Sequence, residues 1–194
     1  MTIAAQKQKL RDVMKHNRAY LNPSERERAT QRISENLASL QVGPCVAVYL
    51  AKGNEANVDL FIRTLKTREA IIAAPVVEEN QPPRFARFED FRKLRSGAFG
   101  LKMPRENAAP IEFEQIDTLL LPGLAFDKRG VRLGYGSGWY DKVSALPSVG
   151  TRNLKPHCVL IGVCYDLQLV YDVPREEHDA RMNIVVTPTQ IIYV

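Results

Sequence analysis

Residues 119–141 read LLLPGLAFDKRGVRLGYGSGWYD. An apolar run stops at Pro122 and gives way to a basic, glycine-dense loop that ends in two aromatics and an acid. Gly134, Gly136 and Gly138 alternate, so the backbone can take positive φ and bring its N–H groups close to an anion. Arg132 adds a fork of charged donors. Beyond Gly138 the residues Trp139, Tyr140, Asp141, Lys142 and Val143 tolerate a helix, which puts the last glycines at a helix N-terminus carrying about +0.5 of partial charge. Asp141 offers a hard oxygen suited to Mg²⁺. The glycine spacing alone fits a tight surface turn equally well. It is neither GxxxxGK[ST] nor GxGxxG, which argues against a P-loop and against a nicotinamide or flavin enzyme.

Outward from this stretch the chain repeats the same alternation. Short unbroken apolar runs, CVAVYL (45–50), AIIAAP (70–75), DTLLL (117–121), VLIGVCY (159–165), IVV near 185 and IIYV at the end, read as strands, most of them buried on both faces. Residues 4–20 read as a helix with Leu10, Val13 and Met14 inward. Residues 22–40 give a second helix, with a capping box expected from Ser24 and Glu27 after Pro23 and an apolar stripe of Ile33, Leu37 and Leu40. Residues 58–67 give a third. Alternating helices and buried strands predict an α/β fold in three layers, with a largely parallel central sheet and N-terminal helices. Ligands in such sheets gather beyond the carboxyl ends of the strands.

The 194 residues, 45% hydrophobic and 25% charged, suit one globular domain. No apolar run approaches ~18 residues and the first residues lack a signal-type apolar segment, so a cytoplasmic protein without a membrane span is expected. Cys45, Cys158 and Cys164 form no CxxC pair, which fits a reducing compartment. Of the net charge of +5, residues 1–40 hold an excess of basic groups. That excess suits any polyanion, and no aromatic platform accompanies it, so a nucleic-acid partner is not expected. Lys7, Arg11, Lys15 and Arg18 recur at helical spacing and form one basic stripe. By itself such a stripe reads as a solvated helix face.

The string PGLAFDKRGVRLGYGSGWYD closely resembles the signature of the 5-formyltetrahydrofolate cyclo-ligase family, also called 5,10-methenyltetrahydrofolate synthetases. The resemblance extends over residues 7–188. It implies ATP- and Mg²⁺-dependent conversion of 5-formyltetrahydrofolate to 5,10-methenyltetrahydrofolate, with ADP and phosphate released. The formyl oxygen would attack the γ-phosphoryl group, and N10 would then close the ring and expel phosphate. Lys7 and Arg11 look like the family's N-terminal Lys-x-x-x-Arg pair, and with Arg132 they are the residues implied for catalysis and for the ATP phosphates. Lys15 and Arg18 keep the reading of a solvated face. Leu133, Gly134, Tyr135, Gly136, Ser137, Gly138, Trp139 and Tyr140 are implied to line the nucleotide cleft.

In the connection AKGNEANVD (51–59), Leu50 and Glu55 match the spacing of family positions in the folate pocket, Leu50 against the ring system and Glu55 as a hydrogen-bond acceptor for its N–H groups. SGAFGLKMP (96–104) is similar to the family loop in which Phe99 would stack on the folate, and Trp139 supplies a second flat face. PREEHDARMNIVVTP (174–188) resembles the closing motif, where Asp179 joins Asp141 at the metal. Met103 stands where many members carry Glu, and restoring that acid is expected to change activity by only a few-fold. Ser137 stands where relatives often carry Gly or Lys, and Trp139 replaces the more usual Tyr. A monomer binding only small molecules is expected. A non-catalytic folate-binding relative and a nucleic-acid module using the basic helix are the alternatives; the Lys7–Arg11 pair favours the enzyme.

Overall fold

A computed structural model describes residues 1–79, 81–136, 138–140, 143, 158–176 and 179–194, with Phe99 described by its backbone only. In chain order the elements are α1 (Ile3–Ala19), α2 (Pro23–Ser39), β1 (Cys45–Ala47), α3 (Asp59–Thr67), β2 (Ile71–Val76), β3 (Arg84–Arg87), β4 (Leu94–Ser96), β5 (Lys102–Pro104), β6 (Pro110–Ile111), β7 (Thr118–Pro122), β8 (Ala125–Phe126), β9 (Arg132–Leu133), β10 (Val159–Val163), β11 (Ile184–Val186) and β12 (Ile191–Tyr193). Among the described residues eight strands form one sheet in the order β12-β11-β10-β7-β1-β2-β3-β6. The five from β11 to β2 are parallel, while β12 and β3 run against them at the edges and β6 pairs antiparallel with β3. The strand order reverses between β1 and β7: from β1 the chain builds outward through β2, then returns to β7 and builds the other way. A crevice is expected at that point, beyond the strands' carboxyl ends.

The inner strands β1, β7 and β10 are apolar on both faces because both faces are covered. Val46, Ile72, Leu120, Ile161 and Val186 pack on one side with Ile33 and Leu37 of α2 and Phe61, Ile62 and Leu65 of α3. Their alternates Ala47, Ala73, Leu119, Leu121, Leu160 and Val185 pack on the other with Phe126, Val143 and Met182. Phe61, Ile62 and Leu65 have no exposed surface, which contributes about 1.5–3 kcal/mol each relative to exposure. The predicted three layers and largely parallel sheet are therefore present. The apolar run at 45–50 is wholly buried although only Cys45–Ala47 pairs as strand, because the chain leaves the sheet to line the crevice. Cys45 and Cys164 are buried, as their apolar settings suggested.

Several local expectations need correction. α2 is capped by Asn22 and Glu25 rather than Ser24 and Glu27: Glu25 N donates to Asn22 Oδ1 at 2.9 Å and Asn22 N to Glu25 Oε2 at 2.8 Å. Pro23 favours the first helical position, which moves the cap one residue before it. In α1 Val13 is 43% exposed, and the inward face is set by Met14 and Arg18. Arg18 is only 5% exposed, so it is not on a solvated face.

Met103, the departure from the family loop, is 1% exposed and packs with Val76 and Ala86. A Cβ on Gly97 would lie 2.5 Å from its sulfur, so the opposite loop closes on the thioether. The expectation that glutamate would be tolerated here is overturned, because a carboxylate would be buried among apolar groups. Met103→Glu is expected to destabilise the fold by more than ~2 kcal/mol in urea unfolding, whereas Met103→Leu should stay within ~1.5 kcal/mol.

Candidate active site

Leaving the sheet at Pro122, the chain turns through β8 and β9, which pair as a hairpin and deliver it to the glycine loop. Asp127 anchors the hairpin from inside. It is fully buried, and its carboxylate accepts from the backbone N–H groups of Arg129 at 2.9 Å, Val131 at 3.1 Å and Val173 at 3.1 Å. Burial alone would raise its pKa, but the bonds from Arg129 and these backbone donors outweigh it and hold the carboxyl below the ordinary range.

In the loop itself Gly136 and Gly138 have φ of +99° and +69°, the left-handed region that the alternating glycines suggested. Gly134 differs: a Cβ there would sit 3.0 Å from Arg132 Nη1 and would push that guanidinium aside. At Trp139 the chain becomes helical. Arg132 Nη1 donates to Pro122 O at 3.3 Å, and its guanidinium lies 5.6 Å from the Tyr140 ring centre.

A cavity of about 1030 Å³ opens at the crevice between β1 and β7. Leu50, Glu55, Arg132, Gly134, Tyr135, Gly136, Gly138, Trp139 and Tyr140 line it, so the structure brings the expected folate residues and glycine-loop residues to one place. Leu133 is different. Its side chain is buried with Met14 and Val131, leaving only its backbone for a ligand. Phe99 lies in the loop between β4 and β5, and its neighbours Leu101 and Lys102 reach the cavity wall. Ser137 and Asp141 lie outside the described residues.

Glu55 is held from several sides. Lys52 N donates to its Oε2 at 2.8 Å, Tyr165 OH donates to its carbonyl at 3.0 Å, and Tyr49 OH fixes the next carbonyl, Ala56 O, at 2.5 Å. Burial, followed by the negative charge of Glu55, raises the hydroxyl pKa values of Tyr49, Tyr135 and Tyr140 well above the ordinary tyrosine value. The result is a Glu55 carboxylate that lines the cavity among neutral phenols.

Lys7 and Arg11 sit behind the glycine loop. Arg11 Nε donates to Gly134 O at 3.0 Å. Lys7 Nζ pairs with Asp179 Oδ2 at 2.7 Å and Glu176 Oε2 at 2.9 Å. These four side chains line a smaller pocket of about 240 Å³ together with Gly136 and Gly138, which also line the large cavity. The glycine loop is therefore the partition between the two. Burial disfavours the Lys7 ammonium, but the bonds to Asp179 and Glu176 outweigh it and leave its pKa above the ordinary lysine value. Asp179 and Glu176 supply hard oxygens of the kind Mg²⁺ prefers, beside backbone suited to phosphate. Among the described residues no three acids, histidines or cysteines gather around one point. The donor chemistry thus fits a magnesium ion carried by few protein ligands and by phosphate oxygens.

The sequence reading missed Arg18, Tyr49, Lys52 and Tyr165. Arg18 had a signal: at about 100° per residue it returns to within about 20° of Lys7, whereas Lys15 lies about 80° round.

A parallel sheet with its cavity at the strand-order reversal, a glycine loop and an adjoining basic and acidic pocket define an open α/β protein of the kind whose ligands gather beyond the strands' carboxyl ends. Comparison with known proteins is specific. The model of the 5-formyltetrahydrofolate cyclo-ligase family matches residues 3–188, and the chain belongs to that family. A 5-formyltetrahydrofolate cyclo-ligase of Mycolicibacterium smegmatis is 29% identical over 188 residues, covering 94% of this chain and 93% of that protein. One from Haemophilus influenzae is 26% identical over 182 residues, covering 91% and 94%. The solution structure of the Aquifex aeolicus 5,10-methenyltetrahydrofolate synthetase superposes with a TM-score of 0.81 at 28% identity, over 96% of this chain and 92% of that one. Among the described residues no helix is long and apolar enough to cross a membrane.

The Lys7–Asp179 pair is mostly shielded, with side-chain exposures of 12% and 16%. Lys7→Met is expected to cost about 1 kcal/mol of stability at pH 7, because it removes the ammonium that pairs with both Asp179 and Glu176. Urea unfolding measures this, and an unchanged midpoint would show that the pair contributes nothing to stability.

Proposed function

We propose that this chain catalyses the ATP- and Mg²⁺-dependent conversion of 5-formyltetrahydrofolate to 5,10-methenyltetrahydrofolate, releasing ADP and phosphate, and that it does so as a single cyclo-ligase domain. The observation that carries the reading is the meeting of Glu55 and the glycine loop in one cavity at the strand-order reversal. A reduced pterin presents several N–H donors in its plane, and the held Glu55 carboxylate is an acceptor for them. Leu50, Trp139 and Phe99 supply apolar and aromatic surface for the rings. The triphosphate belongs at the glycine loop, where Arg132, Arg11 and Lys7 contribute positive charge and the backbone of residues 134–138 can approach closely.

The chemistry needs activation because the formamide oxygen is a poor leaving group. Its attack on the γ-phosphoryl group converts it to a phosphate ester, and N10 then adds to the activated carbon and expels phosphate. The protein's task is to align the formyl oxygen with the γ-phosphoryl group and to neutralise charge. No protein nucleophile is required. Asp179, with Asp141, would hold magnesium, which neutralises charge on the transferring phosphoryl group. Tyr135 and Tyr140, kept protonated by burial and by Glu55, remain neutral at the operating pH and do not compete for the phosphate charge.

Mixing the protein with 5-formyltetrahydrofolate, ATP and Mg²⁺ should produce the ultraviolet absorbance of the methenyl product with one phosphate per molecule formed. Leaving out ATP or chelating the metal should abolish it; cyclisation at an equal rate without ATP would defeat the phosphoryl-activation mechanism. Asp179→Asn and Asp141→Asn should each raise the Mg²⁺ concentration needed for half-maximal rate while folate binding, followed by fluorescence titration, is retained. Unaltered metal demand in both variants would place the ion elsewhere.

A further inference from the structure

Arg18 is the buried charge that the proposed chemistry leaves without a task. It sits on α1, whose remaining cations are more exposed, yet only 5% of it reaches solvent. Burying a guanidinium is costly unless its donors are satisfied. Arg18 meets that demand on two different segments. Its Nε donates to Asn54 Oδ1 at 3.0 Å in the connection after β1, and its Nη1 donates to the Tyr135 hydroxyl in the glycine loop. The guanidinium also lies 5.4 Å from the centre of the Tyr135 ring. Asn54 is the residue next to Glu55, and Glu55 and Tyr135 line the same cavity. One side chain thereby joins three elements: the helix bearing Lys7 and Arg11, the connection bearing Glu55, and the loop bearing Gly134, Gly136 and Gly138.

We infer that Arg18 is a positioning residue that, through Tyr135 and Asn54, fixes the folate-binding carboxylate and the nucleotide-binding glycine loop in one mutual arrangement. The inference rests on the proposed function for the naming of the two ligands, but the linkage itself does not. A guanidinium bonded to both Asn54 and Tyr135 lets neither segment move without disturbing the other. Asn54 adjoins Glu55, and Tyr135 sits between Gly134 and Gly136, so the linkage acts on both ligands at once.

Arg18→Met keeps the length and apolar stem while removing the donors, Arg18→Lys keeps one donor and the charge, and Tyr135→Phe keeps the ring and removes the hydroxyl. Arg18→Met and Tyr135→Phe should each raise the KM for 5-formyltetrahydrofolate and for ATP about tenfold, the scale of a lost charge-assisted bond. Arg18→Lys should restore part of the loss. In the double variant the losses should be less than additive, because both single changes break the same chain. Trp139, the one tryptophan of the chain, lies at the end of the loop and gives a readout that needs no turnover. Its quenching by acrylamide in the ligand-free protein should increase in Arg18→Met and in Tyr135→Phe. Lower thermal stability with both KM values and Trp139 quenching unchanged would reduce Arg18 to a structural residue and overturn the inference, as would fully additive losses. Should Arg18→Met fail to fold, Tyr135→Phe and Arg18→Lys decide the question by the same measurements. If the parent protein forms no methenyl product while Trp139 quenching still responds to Arg18 and Tyr135, the functional reading fails and the linkage stands.

Discussion

The site depends on how strand β7 ends. Thr118–Pro122 is buried throughout and pairs in parallel with β1 on one side and β10 on the other, so it is the centre of the sheet. A central parallel strand cannot simply stop in the interior, because its last carbonyls would be left without donors. Gln168 resolves this. It is 1% exposed, and its Nε2 donates to Gly123 O at 2.8 Å and Leu124 O at 3.0 Å. Arg132 Nη1 takes Pro122 O at 3.3 Å. The chain is then free to leave the sheet beside β1 and turn back through the β8–β9 hairpin over the crevice. The carbonyl that ends the strand is therefore bonded to an arginine that lines the ligand cavity, which ties the sheet to the chemistry by a single contact.

The rest of the site consists of loops made rigid by buried polar bonds. Asp127 holds the hairpin, Tyr49 and Tyr165 hold the Glu55 connection, and Arg11 holds Gly134. Tyr165 and Arg11 are donors brought from other elements, while Asp127 and Tyr49 bond within the segments they hold, so the loops are fixed both by the scaffold and by their own buried polar groups. Preorganisation of this kind matters for a reaction that depends on aligning two small substrates, because any freedom left in the walls must be lost when they bind.

The sheet and its covering helices were legible because their signal is periodic and local. Runs such as CVAVYL and DTLLL announce strands buried on both faces whatever they pack against, and the strand-order reversal follows once the sheet is assembled. The glycine loop was legible for a related reason: positive φ at Gly136 and Gly138 restricts residue choice at those positions. Arg18, Tyr49 and Tyr165 were not, since their roles come from partners far away along the chain, and an arginine in a basic stripe carries no mark of burial. Met103 shows the same limit from the other direction. Alignment with the family motif marks a lost carboxylate, but only packing shows that the position has become part of an apolar cluster with Val76 and Ala86.

Lys7 and Asp179 draw these strands of argument together. The family resemblance assigned one to phosphate and the other to metal, yet the structure pairs them at 2.7 Å with Glu176 beside them. The two assignments are compatible on electrostatic grounds. Lys7 and Arg11 offset the two carboxylates in the pocket they share. In the proposed reaction Asp179 would hold the divalent cation, and Lys7 would be released toward the phosphates. Gly136 and Gly138 line both pockets, so the same glycines that let backbone approach an anion form the boundary between the basic and acidic groups on one side and the Glu55 cavity on the other.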